Sequence, residues 1–383
     1  MDTANPIPSA PYPTPPSDSG PPDCGALAQG TVLDDYTIDA LLGVGGFGIT
    51  YRGMDPTLKT FVAIKEYFPT TYAQRAANGV EVQPSLRGLQ PLPPPNPRGY
   101  PHYYAWGLER FLQEGQTLAQ IQHPQVVGVK RCFRAHGTAY LVMDYEEGET
   151  LASVLQAVGT LDEDDIRGLL ADVLPALGAV HGRGYLHRDI KPANLYVRHR
   201  DGSVVLIDFG ASKADLGWDG NPVTAMVSGG YSPPEQYHTD QQQLGPWTDI
   251  YALGGVLYQA MTGFEPPPAI QRLQGDELPA ALAALEARYS PALCRLVARA
   301  MALDTAQRYP SVAAVEGALE GSKAEVGGRR VGPWLAGVLG VGSLVAGGWW
   351  WSPPPATPIH APPAVGGGPP PPPGGARGGG GRR

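Results

Sequence analysis

Two kinds of hydrophobic pattern divide the chain, and their order predicts its elements. Short apolar runs separated by glycine or Asp-Pro turn signals predict strands at 36–42, 49–52, 61–65, 126–133 and 138–145. Beyond residue 146 apolar side chains recur every three or four positions, which predicts helices. Strands that precede helices in this way indicate an α+β fold.

Two of the predicted helices have specific features. One runs through 166–180, with Thr160 and Glu163 as a capping box before it and a kink at Pro175. The other, at 248–261, is apolar on nearly every side, so we expect it to be buried rather than to lie on the surface.

Residues 69–105 interrupt the strand-rich part of the chain. Their prolines exclude a regular helix or a central strand, so we interpret the segment as a loop inserted between elements. A plain surface excursion and a regulatory role are both open for it. The helix predicted at 106–121 follows, and Glu114 falls on the same face as Phe111 and Leu118. A carboxylate on an apolar face needs a partner.

Both ends of the chain have the composition of disordered segments. Residues 1–33 are rich in proline and 352–383 in proline and glycine, and neither has enough large apolar side chains to offset the entropy cost of ordering. The body between them, 34–320, is long enough for two lobes that share a large core.

Charge and cysteine content limit the class of function. The chain carries 28 basic and 36 acidic residues, a formal net charge of −8, so a nucleic-acid-binding body is not expected. Its three cysteines, Cys24, Cys132 and Cys294, lie far apart and form no C-x-x-C, which predicts neither a disulfide framework nor a zinc site. No signal-peptide pattern occurs at the N-terminus.

A glycine-rich loop lies between two predicted strands and consists of Gly43, Gly45, Gly46, Phe47 and Gly48 around one valine. A dinucleotide fingerprint must open a helix, so the strand–loop–strand context instead suits a loop that covers phosphates. Taken alone, an ordinary glycine hairpin explains the pattern equally well.

Lys65 lies on a predicted strand in the run V-A-I-K. An unpaired ammonium would cost several kcal/mol if buried there, so Lys65 needs an anion. Glu114 and a nucleotide phosphate both qualify, and the alternative is a lysine that snorkels from a surface strand.

The densest polar segment is 187–194, H-R-D-I-K-P-A-N, which holds a candidate base, two cations and an amide within eight positions. A hairpin follows it, predicted from strands at 195–197 and 204–207 around an Asp-Gly turn. Asp208-Phe209-Gly210 comes directly after that hairpin. Asp208 and Asn194 are oxygen ligands of the kind that Mg²⁺ prefers.

The order and spacing of these motifs resemble those of the eukaryotic-type protein kinases: the glycine-rich loop, V-A-I-K, H-R-D-x-K-P-x-N and D-F-G. Pro233-Pro234-Glu235 stands at the family's A-P-E, 249–254 at the start of its buried helix, and Arg308 at the arginine that pairs with that glutamate. Thr50 and Pro233 depart from the family pattern without removing a catalytic group. The runs V-A-I-K-E-Y-F-P, G-G-F-G-I-T-Y and P-P-E-Q-Y resemble a bacterial subgroup that carries an insertion before the glutamate helix.

The resemblance implies a bilobal kinase fold, with a β-rich lobe at 34–145 and a helical lobe at 146–320. It also implies roles in catalysis. Lys65, oriented by Glu114, would hold the α- and β-phosphates of ATP. Asp189 would accept the proton of the substrate hydroxyl, and Lys191 would meet the γ-phosphate, as in the serine/threonine branch.

Further roles concern the nucleotide and the metal. By the same resemblance, Asn194 and Asp208 would bind Mg²⁺, with Mn²⁺ as an alternative. The glycine-rich loop would cover ATP. Met143 would be the gatekeeper beside adenine, and the hinge that hydrogen-bonds adenine would be Asp144, Tyr145 and Glu146.

A phosphorylation site is also implied. In kinases that phosphorylation activates, the arginine before the catalytic aspartate, here Arg188, pairs with a phosphate on the loop at 211–232. Thr224 is the candidate, although an exposed loop residue without this role is an equal alternative. Ser228 is expected to face the substrate.

The C-terminal part contains a 21-residue uncharged run, 331–351, about 31 Å long as a helix and so long enough to span a bilayer. Trp334 and the tryptophans at 349–351 stand at its ends, and arginines flank it only in the juxtamembrane segment 321–330. We therefore expect a single transmembrane helix with the kinase domain in the cytoplasm. An apolar disordered linker is the alternative, and small residues in the run permit self-association of two such helices.

The predicted function is ATP-dependent phosphorylation of serine and threonine hydroxyls on protein substrates. A pseudokinase scaffold that binds nucleotide without transfer is a second hypothesis, which the intact catalytic motifs disfavour. A small-molecule kinase of related fold is a third. The Lys191-Pro192 pair and the segment 211–235 disfavour it.

Overall fold

The computed structural model describes residues 25–92, 99–209, 228–237 and 243–323. Its strands, in chain order, are β1 (Val32–Leu33), β2 (Tyr36–Val44), β3 (Gly48–Asp55), β4 (Thr60–Tyr67), β5 (Ala73–Arg75), β6 (Val82–Pro84), β7 (Val129–Ala135), β8 (Thr138–Asp144), β9 (Gly148–Thr150), β10 (Leu195–Arg198) and β11 (Val204–Leu206). Its α-helices are α1 (Tyr103–Leu118), α2 (Leu151–Val158), α3 (Glu163–His181), α4 (Pro246–Thr262), α5 (Ala269–Arg272), α6 (Leu278–Ala284), α7 (Pro291–Ala300) and α8 (Val312–Lys323). Strands predominate up to residue 150 and helices beyond it, and the α+β prediction is confirmed.

The N-terminal lobe is built on an antiparallel sheet with the strand order β1-β2-β3-β4-β8-β7. Strand β4 is flanked by β3 and β8, and Lys65 on it lies opposite Thr50 and Leu141. The side chains of Ile64 and Glu66, to either side of Lys65 in sequence, are completely buried. Because side chains alternate across a strand, Lys65 points to the opposite face, towards the other lobe.

The first residues of the lobe correct one prediction. Disorder was expected up to residue 33, yet Ala26 and Leu27 are buried and Leu33 on β1 is fully buried. The backbone N–H of Leu27 also donates to the hydroxyl of Tyr51 at 3.0 Å. The prediction is therefore wrong for 25–33, because a few apolar side chains insert into a core that the following strands provide.

The inserted segment 69–105 is not a structureless loop. Strands β5 and β6 pair within it as a hairpin, and its last residues already belong to α1, which begins at Tyr103. The imidazole of His102 caps this helix by accepting from Ala105 N–H at 3.2 Å. Prolines therefore excluded a central strand here but not a separate two-stranded hairpin.

The helical lobe packs around α3 and α4. Helix α3 runs on through Pro175, and its N-cap is Asp162, whose carboxylate accepts from Asp165 N–H at 2.8 Å. The predicted capping box is wrong, because both of its side chains bind elsewhere. The Glu163 carboxylate accepts from the Ser290 hydroxyl at 2.7 Å, and the Thr160 hydroxyl accepts from Arg288.

Helix α4 is buried along most of its length, as predicted. A methyl group at Gly254 would lie 2.7 Å from the side chain of Met301, so only glycine permits this approach of α4 to the end of α7. Gly263 ends the helix with φ +80°, a conformation that favours glycine. The hairpin of β10 and β11, to which β9 is added, is also as predicted.

The segments with membrane or disorder predictions fall mainly outside the described residues. These are 1–24 and everything after Lys323, including the predicted span at 331–351 and the tail at 352–383. Among the helices within the described ranges, none combines the length and apolar character needed to cross a membrane.

Candidate active site

Strand β4 and the segment after β11 bring Lys65 and Asp208 together across the lobes. The Lys65 ammonium forms an ion pair with Asp208 Oδ1. Glu114 is buried on α1 at 6% exposure, but within the described chain no ion pair joins it to Lys65. The Lys65–Glu114 pair implied by the resemblance is thus not the arrangement seen in this structure, and the role of Glu114 stays a prediction.

Asp189 is the centre of a converging polar cluster. Lys191 Nζ lies 3.2 Å from Asp189 Oδ1 and 3.1 Å from Oδ2, and the Asn194 amide donates to Oδ2 at 2.8 Å. The Ser228 hydroxyl donates to Asp189 Oδ1 at 2.6 Å and lies 3.2 Å from Lys191 Nζ. The sequence places these four residues in two separate segments, and the fold brings them into direct contact.

Asp249, at the start of α4, holds the backbone that carries Asp189. Its fully buried carboxylate accepts from the N–H groups of His187 and Arg188, both at 2.8 Å, and lies 2.8 Å from His181 Nε2. Arg188 has φ +63°, a left-handed conformation that is unfavourable outside glycine. Two charge-assisted hydrogen bonds at this point stabilise the strained turn that precedes the candidate base.

We expect Asp249→Asn to destabilise the protein by about 1–3 kcal/mol at pH 7, because a buried N–H group loses its carboxylate partner. Burial tends to raise the pKa of Asp249, but the hydrogen bond and charge of His181, the charge of His187 and the Arg188 amide lower it below its ordinary value. The stabilisation is therefore present above about pH 4 and is lost as the pH falls through the native pKa. Urea unfolding from pH 7 down to pH 4 and below should show the difference between parent and variant narrowing; a difference that stays constant with pH would contradict this role.

Asp208, like Arg188, has a left-handed backbone conformation that its neighbours stabilise. Asp208 has φ +56°, and Phe209 after it is buried against His187, with ring centroids 4.4 Å apart. Burial lowers the pKa of His187, although the charges of Asp249, Asp189 and Asp208 oppose this. The Asn194 amide nitrogen also lies 3.4 Å from the Asp208 carbonyl oxygen. Packing and hydrogen bonds thus fix the backbone on both sides of the Asp208 carboxylate.

Asn194 and Asp208 fit a hard divalent cation. The Asn194 nitrogen is committed to Asp189, so its amide oxygen is the atom left for a metal. In the described ranges no group of three or more His, Cys, Asp or Glu side chains is arranged to hold a metal. An ion at this pair would take further ligands from phosphate oxygens and water, as Mg²⁺ prefers.

The predicted nucleotide-binding residues lie on the glycine-rich loop, on β4 and β8, and on the segment that follows β8. The glycine-rich loop joins β2 to β3, and a methyl group at Gly48 would come within 2.4 Å of the Glu66 carbonyl oxygen. Met143 ends the buried run of β8, opposite Ala63 on β4. Asp144 pairs with Lys130 at 2.6 Å, and Glu146 with Arg198 at 2.5 Å, on either side of Tyr145. Salt bridges therefore hold the connection between the lobes at both ends.

The helical lobe contains a second buried ion pair. Arg308 and Glu235 are joined by two hydrogen bonds, of 2.5 and 3.0 Å, and both side chains are almost completely buried. The hydroxyl of Thr248 on α4 donates to the same carboxylate at 3.1 Å. Glu235 and Arg308 are thus paired as the resemblance implies.

Comparisons with known proteins agree with this geometry. The protein kinase domain family matches residues 102–315, more than half of the chain. This chain belongs to the protein kinase family. A solved structure titled "PpkA-294 apo form" has 34% sequence identity and a TM-score of 0.67, over 77% of this chain and 99% of that one. The fold is thus the bilobal kinase fold, and this family uses ATP and a divalent metal.

The kinase's relatives include bacterial serine/threonine-protein kinases. One is PknA from Nostoc sp., 31% identical over 287 residues, which are 73% of this chain and 46% of the relative. Another is PknB from Mycobacterium tuberculosis, 30% identical over 296 residues, which are 73% of this chain and 41% of the relative. The chain therefore spans less than half the length of these two kinases. The kinase domain of PknI from Mycobacterium tuberculosis, at 21% identity and a TM-score of 0.53, supports the fold alone.

Sequence reasoning missed some of the residues that position the kinase's site. Asp249 was recognised only as the start of a buried helix, not as the acceptor for the catalytic segment. Glu66 is completely buried and binds Arg75 of the insertion, with Nη2 to Oε2 at 2.6 Å. An acidic residue between the apolar positions of a central strand, followed within ten residues by an arginine, was the available signal for this pair.

Proposed function

We propose that this kinase transfers the γ-phosphoryl group of ATP to serine and threonine hydroxyls of proteins, including its own chain, in bacterial signalling. One observation carries the proposal: a serine hydroxyl, that of Ser228, donates to Asp189 Oδ1 at 2.6 Å beside the Lys191 ammonium. A hydroxyl group is therefore accommodated between a carboxylate and a cation. This is the environment that a substrate hydroxyl needs to lose its proton.

Each residue of the site has a role in that reaction. Asp189 orients the attacking hydroxyl and accepts its proton, while Lys191 offsets negative charge on the transferring group. Lys65 holds the phosphates once they displace Asp208 from its ammonium. Asn194 and Asp208 would hold Mg²⁺, which supplies further charge neutralisation when bound. Positioning and charge neutralisation then supply most of the rate enhancement.

The test is phosphoryl transfer from γ-labelled ATP, with Mg²⁺, by the purified chain. We expect acid-stable label on serine or threonine of the chain and of a general protein substrate. The control is Lys65→Met, which removes the ammonium and keeps the length of the side chain. Nucleotide binding without transfer would favour the pseudokinase scaffold, and transfer only to small alcohols would favour a small-molecule kinase.

The activating phosphorylation belongs to the same proposal. Burial lowers the pKa of the Arg188 guanidinium, although the charge of Asp249 opposes this, so an additional anion near Arg188 would be favourable. We place that anion on Thr224, which lies outside the described residues. Mass spectrometry after incubation with ATP is expected to find phosphate on Thr224 as activity rises; activity with Thr224 unmodified would remove the assignment.

Membrane anchoring is the last part of the proposal, and it rests on sequence. The uncharged run at 331–351, with tryptophans at its ends and arginines at 329 and 330, supports a single span with the kinase domain in the cytoplasm. The full chain is expected to stay with membranes after washing with alkaline carbonate, and a chain without 331–351 to be released. Release of both would favour a linker instead, and cross-linking of the retained chain would test self-association of the span.

A further inference from the structure

The insertion contacts the glycine-rich loop through backbone hydrogen bonds. Phe68 N–H donates to the Phe47 carbonyl oxygen and Thr70 N–H to the Gly46 carbonyl oxygen, both at 3.2 Å. These two carbonyl groups lie in the middle of the loop. The loop that is expected to cover ATP is therefore attached to Phe68, the residue before the insertion, and to Thr70 within it.

An aromatic cluster reinforces the attachment. The rings of Tyr72 and Tyr103 are stacked, with centroids 5.5 Å apart and an angle of 11° between their planes, and both residues are buried. Phe47 of the loop packs against this pair together with Leu92 and Trp106. We call these five residues the aromatic clamp. Phe47 is the one large apolar side chain of an otherwise glycine-rich loop, so it is the group by which the loop can be held.

The insertion is also bound to the strand that carries Lys65. Arg75 on β5 binds both carboxylate oxygens of Glu66, with N–O distances of 2.6 and 2.8 Å, and donates to the Gly25 carbonyl oxygen. The hydroxyls of Tyr51 and Tyr140 donate to the same carboxylate at 2.8 and 3.0 Å. The insertion hairpin is thus bound to the face of the sheet opposite Lys65.

Two residues of the aromatic clamp belong to α1. Tyr103 and Trp106 lie in the first turn of this helix, and Glu114 lies further along it. Backbone bonds from Tyr103 to Gln90, at 3.1 Å, and from Tyr104 to Gly88, at 3.0 Å, tie that turn to the insertion. One set of contacts therefore joins the glycine-rich loop, the strand of Lys65 and the helix of Glu114.

We propose that the insertion positions the glycine-rich loop for ATP, with Tyr72 and Tyr103 as positioning residues that act through Phe47. A glycine-rich loop has few side chains to order it, and ordering it on binding would reduce the affinity for nucleotide. The aromatic clamp supplies that order before the nucleotide arrives. This inference rests on the proposed binding of ATP beneath the loop.

The kinetic test uses Tyr72→Ala and Tyr103→Ala in the full chain. We expect the KM for ATP and the Kd for ADP to rise about tenfold, while kcat changes less than threefold. Tyr72→Phe and Tyr103→Phe keep the stacked rings and should restore values near the parent's. The matched control is Leu86→Ala, which alters a side chain of the same insertion that is 90% exposed. An unchanged Kd for ADP in a folded alanine variant would overturn the proposal.

A second test needs no catalysis and separates this inference from the proposed function. The amides of Phe68 and Thr70 donate to the loop, so their hydrogen exchange in the nucleotide-free protein reports its attachment. We expect Phe47→Ala to speed their exchange at least tenfold and Leu86→Ala to leave it unchanged. Phe47 lies in a loop, so this variant stays informative if a tyrosine variant fails to fold. Unchanged exchange in Phe47→Ala would refute the clamp, even if the parent chain phosphorylates proteins. Faster exchange in Phe47→Ala, together with a parent chain that transfers no phosphate, would support the clamp and refute the proposed function.

Discussion

Asp189→Asn is expected to lower kcat for phosphoryl transfer by about 10²–10⁴-fold, the usual contribution of general acid–base catalysis. The substitution removes the charge and basicity of the group that accepts a hydrogen bond from the Ser228 hydroxyl, and it nearly preserves the size of the side chain. An amide can still accept a hydrogen bond from Lys191 or Asn194, so the cluster should stay assembled. The loss should therefore fall on kcat, with little change in the affinity for ATP.

Initial-rate kinetics on a protein substrate, with ADP affinity and thermal unfolding measured on the same samples, would check this result. Asp201→Asn is the matched control, because it makes the same change on the exposed β10–β11 turn, where Asp201 bonds only local groups. A loss of less than tenfold for Asp189→Asn would show that another group accepts the proton. A similar loss in both variants would point to the fold rather than to the chemistry.

The sequence was sufficient for the parts of the fold that depend on local pattern. Strand β4 was expected at 61–65 and occurs at Thr60–Tyr67, because alternating buried positions leave a period of two that is visible in the residues. The buried helix α4 was equally visible, since it is apolar on nearly every side. The site residues at 187–194 and Asp208 were recognisable because their chemistry is dense and their spacing is distinctive.

The partners of the charged residues were less predictable, because they depend on packing between distant segments. Lys65 was expected to meet Glu114 and instead meets Asp208. The first turn of α1, the helix that carries Glu114, is hydrogen-bonded to the insertion, whose prolines and irregular apolar residues carry no period. The aromatic clamp was missed for the same reason: Phe47, Tyr72 and Tyr103 are far apart in sequence and follow no common pattern.

Arg308→Ala is expected to reduce the free energy of unfolding by about 3–5 kcal/mol, the cost of leaving a buried charge without its partner. Glu235 is 4% exposed and would lose two hydrogen bonds, leaving the Thr248 hydroxyl as its remaining donor. Arg308 also donates to the carbonyl oxygens of Ala302 and Leu303, at 2.6 and 3.0 Å, so the segment between α7 and α8 would lose two internal hydrogen bonds as well.

Urea unfolding at pH 7, followed by tryptophan fluorescence, measures this loss. The control, Arg200→Ala, removes an ion pair whose two side chains are 67% and 48% exposed, and it should cost no more than about 1 kcal/mol. The double variant Glu235→Gln with Arg308→Met should recover part of the loss, because it removes both charges from the buried site. A loss below about 1 kcal/mol for Arg308→Ala would mean that water reaches Glu235 and that the pair does not hold the helical lobe together.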